Sequence, residues 1–173
     1  MAGDIDTTNS SSDEFFWYAL KVRARSEFLA VRALRNRGYE PFCPTYSERR
    51  RYSDRMKVVE HVAFPGYLFC RFDPRNKVSV ISSSAIEYIV GTRGMPAPIP
   101  DQQIADIRRA LDAGGRPAPY FKAGQRVRVE YGALAGVEGV LACDASTGPL
   151  VVSIDLLQRS VAIYIEEHQV RPV

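Results

Sequence analysis

Apolar positions follow two periods in the first two-thirds of the chain and a different one after it. Phe16, Tyr18, Leu20 and Val22 alternate with Trp17, Ala19, Lys21 and Arg23, which predicts a strand, since successive side chains of a strand point to opposite faces. Phe28, Val31 and Leu34 then recur at helical spacing. Ser26 offers an N-cap, Glu27 suits the positive helix end, and Gly38 supplies a stop. Tyr39 to Tyr46 is extended but broken by Pro41 and Pro44, the mark of an edge or irregular strand. The stretch from Phe64 to Phe72 reads as one strand entered through a Pro-Gly corner. Alternation puts Phe64, Leu68, Cys70 and Phe72 on one side, and Pro65, Tyr67, Phe69 and Arg71 on the other. Both sides are mostly apolar, so the strand belongs in mid-sheet, or part of its second face is a docking surface.

Ser47 to Lys57 has no apolar period and reads as an exposed hairpin tip between Thr45 and Val58. Val78 to Ser84 is a short helix or loop, Glu87 to Val90 a strand, and Gly91 to Gly94 a turn. A second clear helix starts at Pro100-Asp101 with Asp101 as N-cap. It buries Ile104, Ile107 and Leu111 and ends at Gly114-Gly115. Residues 116–120 follow as a linker stiffened by proline. Beyond it, short runs at Val127/Val129, Val140/Leu141, Leu150 to Leu156 and Val161 to Ile165 are split by Gly-rich or polar turns, which predicts a barrel of about five strands. The chain thus divides into a tail (1–14), an α+β domain (15–115), a linker (116–120) and an all-β module (121–173).

Charge sharpens this division. Residues 15–72 carry 12 Lys and Arg against 5 Asp and Glu, whereas residues 120–173 carry 5 against 6. A basic first half fits a nucleic-acid partner, because phosphate attraction needs clustered cations. A near-neutral second half points to a different partner. The tail carries 4 acids and no base, is rich in Ser and Thr, and reads as disordered. It lacks the pattern of a signal peptide, and no run approaches the ~20 apolar residues of a membrane span. A cytoplasmic location and no membrane partner are expected.

Catalytic chemistry finds no support. Cys43, Cys70 and Cys143 are far apart and read as small buried hydrophobes in a reducing compartment. His61 and His168 have no ligand-like neighbours at metal spacing. There is no G-x-S-x-G, no P-loop and no paired acid with a base, and Ser82-Ser83-Ser84 reads as a polar loop. A protein that is not an enzyme, with no metal and no cofactor, is the expectation. Arg49, Arg50, Arg51, Arg55 and Lys57 are either a solvated loop or a contact with DNA phosphates, with Tyr52 placed to stack on a base.

Four stretches, in order, resemble the NusG family of transcription elongation factors. Trp17-Tyr18 followed by the helix from Ser26 is similar to the opening of that family's first domain, and Phe64-Pro65-Gly66-Tyr67-Leu68-Phe69 to its most recognisable stretch. Tyr88-Ile89-Val90-Gly91 followed by Pro98-Ile99-Pro100 is similar to its closing segment. Ala123 to Val129 with Gly132, Gly136, Gly139 and Val140 resembles a KOW motif. The resemblance implies a four-stranded antiparallel sheet flanked by helices, followed by a five-stranded KOW β-barrel.

It also implies a monomeric factor that docks on the clamp helices of RNA polymerase through Phe64, Pro65, Tyr67 and Phe69 and suppresses pausing. Arg23 and Arg25 would lie beside the same cleft, with the basic hairpin reaching upstream or non-template DNA. The second domain would recruit Rho or a small-subunit ribosomal protein, with Leu134 at the tip. Two features depart from the family pattern. Gly132-Ala133-Leu134 stands where Gly-Pro-Phe is usual, and Gln158-Arg159 where a Gly-Arg turn is usual, which favours a specialised operon-associated paralogue. The rival from another class is a KOW-containing RNA- or ribosome-binding structural protein.

Overall fold

The computed structural model describes residues 15–51, 55–118, 124, 126–141, 149–164 and 170–173. The acidic tail, Tyr52, Cys143, His168, the end of the expected linker and Ile165 lie outside these residues. In chain order the elements are β1 (Phe16–Val22), α1 (Glu27–Arg35), β2 (Glu40–Phe42), β3 (Thr45–Arg51), β4 (Met56–Val62) and β5 (Tyr67–Phe72). They continue as α2 (Lys77–Ile81), β6 (Ile86–Ile89), β7 (Gly91–Thr92), β8 (Met95–Pro96), β9 (Pro98–Ile99) and α3 (Asp101–Asp112). The remainder is β10 (Arg116–Ala118), β11 (Arg126–Val129), β12 (Glu138–Leu141), β13 (Pro149–Ile154), β14 (Arg159–Tyr164) and β15 (Val170–Pro172).

The first sheet has the order β2-β5-β1-β6, all antiparallel, with β9 also paired to β1. β5 lies inside this sheet, as its two apolar faces required, and the Pro-broken β2 takes the edge. Tyr18, Leu20, Val22, Leu68, Cys70 and Phe72 bury one face against Ala30, Val31 and Leu34 of α1 and Val80 of α2. Trp17, Ala19 and Phe69 bury the other against Ile104, Ile107 and Leu111 of α3. The second sheet runs β10-β14-β13-β12-β11-β15. α3 also packs on β13 and β14, so one apolar cluster runs from the first sheet through α3 to Val127, Leu150, Ile154 and Val161.

Four local expectations change. Arg116–Ala118 is not a linker but a strand paired with β14, adding a sixth strand to the second sheet. The tight packing of Gly115, where a Cβ would meet Val161 Cγ1 at 2.7 Å, brings that strand into place. The basic run is not a loop tip, because β3 and β4 pair continuously from Thr45↔Val62 to Arg51↔Met56. Phe28 faces outward and is 56% exposed, while α1 buries Glu27, Ala30, Val31 and Leu34. Asp101 is the first helical residue of α3, and Pro100 takes the capping position.

Candidate functional site

The site forms where the Pro-Gly corner meets the end of β1 and the start of α1. Tyr67 N–H donates to the Phe64 carbonyl at 3.0 Å, and Val22 N–H donates to the Gly66 carbonyl at 3.0 Å. Gly66 has φ +80°, a conformation costly for a side chain with a Cβ. A Cβ there would also lie 2.6 Å from Lys21 Nζ, so glycine leaves room for that ammonium. Glu27 is the anchor of the corner. It is buried at 5% exposure, and its Oε1 accepts from Gly66 N–H at 2.8 Å.

This turn resets the alternation that the sequence carried through it. Phe64 lies outside β5 and packs edge-on against Phe69, with ring centroids 6.1 Å apart and planes at 81°. It belongs to the α3-side cluster, not with Leu68, Cys70 and Phe72. Phe64 is 1% exposed and Phe69 is 0% exposed, so both of these expected docking residues are core. Pro65 is exposed and Tyr67 half-buried, and these two reach the surface.

Strand register completes the surface around them. Lys21 stands opposite Tyr67 on β5 and opposite Tyr88 on β6, so Tyr67, Lys21 and Tyr88 form one row across the sheet. Lys21 Nζ sits 4.6 Å from the Tyr67 ring centroid, and Tyr88 is 52% exposed. The next row holds Phe42, Phe69 and Ala19, with Arg108 of α3 lying 4.6 Å over the Phe42 ring. Sequence reading missed Lys21 and Tyr88, because only the pairing of three strands makes them neighbours of Tyr67. Behind the corner, a cavity of about 630 Å³ is lined by Lys21, Arg25, Phe28, Tyr46, His61, Val62 and Pro65, among others. Arg23 and Arg25 are exposed at the same end, Arg25 with φ 62°.

The basic hairpin has two unlike faces. Residues opposed across β3 and β4 share a face, so Tyr46, His61, Glu48, Arg50 and Lys57 lie together. Here Arg50 Nε donates to Glu48 Oε2 at 3.0 Å, and this bond holds the Glu48 carboxyl below its usual range. His61 Nε2 lies 3.2 Å from the same oxygen, an ion pair when protonated, although its direction falls short of a hydrogen bond. Arg116 stacks 5.0 Å over Tyr46 and donates to the Ser47 carbonyl. Arg49, Arg51, Met56 and Val58 share the opposite face, all exposed. Arg55 is also exposed, beyond the paired register.

The second module contributes less surface than its sequence promised. Leu134 is buried at 7% exposure instead of standing at a tip. The carbonyl of its neighbour Ala135 accepts from Arg109 Nη1 of α3 at 2.7 Å. Asp106 of α3, 3% exposed, accepts from Gln102 and Arg109 at 2.8 Å and faces the Glu138 N–H at 3.4 Å. These contacts hold the loop of residues 131–136 against the first unit. Among the described residues no group of three or more His, Cys, Asp or Glu could hold a metal ion, and no helix is long and apolar enough to cross a membrane.

Residues 15–108 match the family model described as transcription termination factor nusG. The transcription termination/antitermination protein NusG of Pseudomonas aeruginosa is 27% identical over 173 residues, covering 91% of this chain and 98% of that protein. The protein of the same description from Lactococcus lactis is 26% identical over 136 residues, covering 75% and 73%. Among solved structures, that titled "Domain interaction in Thermotoga maritima NusG" aligns with a TM-score of 0.53 at 18% identity, covering 92% of this chain and 98% of that one. At that identity the likeness is one of fold.

Proposed function

The chain belongs to the NusG family, and from that premise we propose that it is a transcription elongation and antitermination factor that docks on the clamp of RNA polymerase. The observation that carries this reading is the surface of Pro65 with the Tyr67–Lys21–Tyr88 row, in which Tyr67 is half-buried against the α3-side cluster and Pro65 and Tyr88 are exposed. Aromatic anchors beside a cavity are the usual energetic centre of a helix-in-groove contact. Lys21 at the middle of the row adds a preference for a partner carboxylate. Phe64 and Phe69 act behind this surface by holding Tyr67 in place. Arg23 and Arg25 lie at the same end, and the basic hairpin reaches toward DNA of the elongation complex.

Holding two polymerase domains together lowers the population of paused, open-clamp states, which is how a factor with no catalytic group alters transcription. Such a factor works in the cytoplasm of a bacterial cell. The second module recruits a further partner, Rho or a small-subunit ribosomal protein. Use of Leu134 for that contact requires the 131–136 loop to leave α3.

The test is the affinity of Tyr67→Ala for a reconstituted polymerase elongation complex, with circular dichroism on the same sample. Loss of a central aromatic anchor weakens binding by about 2 kcal/mol, roughly 30-fold. Unchanged affinity with a native spectrum removes the docking site.

A further inference from the structure

We propose that Arg116 of β10, a residue of the second sheet, is a positioning residue of the polymerase-docking cavity, acting through the Tyr46–His61 pair that forms part of the cavity wall. The inference rests on the docking reading above and goes beyond it in giving the second module a share in that site.

The wall is built at the root of the hairpin. Tyr46 and His61 stand directly opposed across β3 and β4, and their rings stack with centroids 5.4 Å apart and planes at 28°. Both line the cavity behind the corner, together with Val62 and Pro65. Only residues 62–65 separate His61 from Gly66, so a shift of the imidazole carries to the turn that presents Tyr67. His61 Nε2 is buried without a hydrogen-bond partner among the described residues, so the placement of this pair depends on what packs against it.

Arg116 supplies that packing. Its guanidinium carbon lies 5.0 Å from the Tyr46 ring centroid, and its Nη1 donates to the Ser47 carbonyl at 2.6 Å. One side chain thus holds a ring of the wall by its face and the next residue of β3 by its carbonyl. Charge adds to the hold. Glu48 gathers Arg50, His61 and Arg116 around one face of the hairpin, and all three keep its carboxyl below the usual range, Arg50 most.

Arg116 can do this because the backbone before it is fixed. α3 ends at Asp112, and the Gly114 and Gly115 N–H groups donate back to the Leu111 and Ala110 carbonyls at 3.0 and 2.8 Å. A Cβ at Gly115 would meet the Ala110 carbonyl oxygen at 2.6 Å, so the chain turns there without slack. It then enters β10, where Arg116 pairs opposite Ala162 of β14. On a free linker the contact with Tyr46 would have to order the backbone as well as the side chain; here the backbone is ordered already. The second module thereby supports the docking cavity from behind, and the two modules are coupled through β10.

The experiment measures the affinity of the full chain for a reconstituted polymerase elongation complex, and the ring-proton NMR signals of His61, one of 2 histidines in the chain. Arg116 is exposed, so Arg116→Ala should keep the native melting curve. It should weaken binding about fivefold, the size of a surface cation–π contact, and move the His61 signals in the free chain. Arg116→Lys, which keeps a cation over the ring, should recover most of the loss. In a Tyr46→Leu background, Arg116→Ala should cost less, since the two residues act through one contact. Wild-type affinity of Arg116→Ala beside a weakened Tyr67→Ala would overturn the positioning role and leave the docking reading standing. Equal losses in the two backgrounds, no recovery with lysine, or unmoved His61 signals would overturn it as well. Wild-type affinity of both Tyr67→Ala and Arg116→Ala would remove the docking reading and the positioning role with it.

Discussion

Replacing Glu27 tests how the corner is held. Its carboxylate is buried against the Gly66 N–H, 39 residues away in sequence, and that bond is the side-chain tie between α1 and the turn that presents Tyr67. Glu27→Ala leaves a buried amide unsatisfied. A hydrogen bond to a charged acceptor contributes about 1.5–3 kcal/mol, and the better helix propensity of alanine returns only a few tenths. The expected net loss is about 2 kcal/mol, a factor of roughly 30 in the folding equilibrium. Glu27→Gln keeps an acceptor of the same shape and should lose less than about 1 kcal/mol. Urea unfolding measures the difference, and hydrogen exchange reports where it acts. The Gly66 amide should lose protection in Glu27→Ala more than amides in the middle of β5, because the corner opens before the sheet does. A loss below about 0.5 kcal/mol, or unchanged Gly66 protection, would refute the role of Glu27 as anchor. Polymerase affinity should follow the same order, since a loosened corner leaves Tyr67 without a fixed position.

The remaining predictions concern the core and the thiols. Phe69→Ala should cost about 3–5 kcal/mol, because the ring is fully buried between Phe64 and Phe42, and a melting curve close to wild type would refute its assignment to the core. Burial pushes the thiols of Cys43 and Cys70 from the ordinary 9.0 up to about 12, with Glu27 and Glu60 adding to the effect at Cys43 and Glu40 at Cys70. Neither should react readily with iodoacetamide at pH 8 in the folded chain, the buried Cys70 least of all, and rapid native-state labelling of Cys70, read by peptide mapping, would contradict its burial. The sign of the linkage follows from the raised values: the unfolded chain releases these protons first, so the stabilisation present below pH 9 is lost as pH rises toward 12. Cys43→Ala/Cys70→Ala should therefore show a smaller drop in melting temperature between pH 8 and 10 than the wild type, and an equal drop would refute it.

Most of the first sheet was legible in the sequence, because β1 and β5 bury two unlike faces and alternation assigns them. Alternation groups Tyr18, Leu20 and Val22, and likewise Leu68, Cys70 and Phe72, and all six are buried in one cluster. The errors fall where local pattern meets a distant partner. Alternation cannot pass through the turn at Gly66, so it puts Phe64 on the wrong side. Phe28 looked like core by spacing, but the inward position at the start of α1 is held by Glu27 for Gly66. Asp106 of α3 lies outside the apolar stripe that spacing reveals, yet it is buried with Gln102 and Arg109 and faces the Glu138 amide of the second sheet. Arg49 and Arg50 are equivalent in sequence and differ only because Glu48 lies on one face of the hairpin.

Tyr67 and Phe69 sit two residues apart on the same strand and face, and both are aromatic. Their roles differ because of α3. The helix begins beside Arg71, which lies 3.4 Å from Asp101, and it carries Arg108 across Phe42. Its stripe of Ile104, Ile107 and Leu111 joins the rows that hold Trp17, Ala19 and Phe69 and makes them core. The next row is less covered: Tyr67 packs half-buried on the edge of that cluster, Lys21 is half-buried, and Tyr88 is exposed. The same helix seats the second module, through Arg109 and the Ala135 carbonyl, and so withdraws Leu134. The position of α3 therefore decides which aromatic residues of the first sheet meet a partner and which tip of the second module does not. A change of side chain at Tyr67 should alter binding with little effect on folding, whereas the same change at Phe69 should lower stability and weaken binding only through the support that Tyr67 loses.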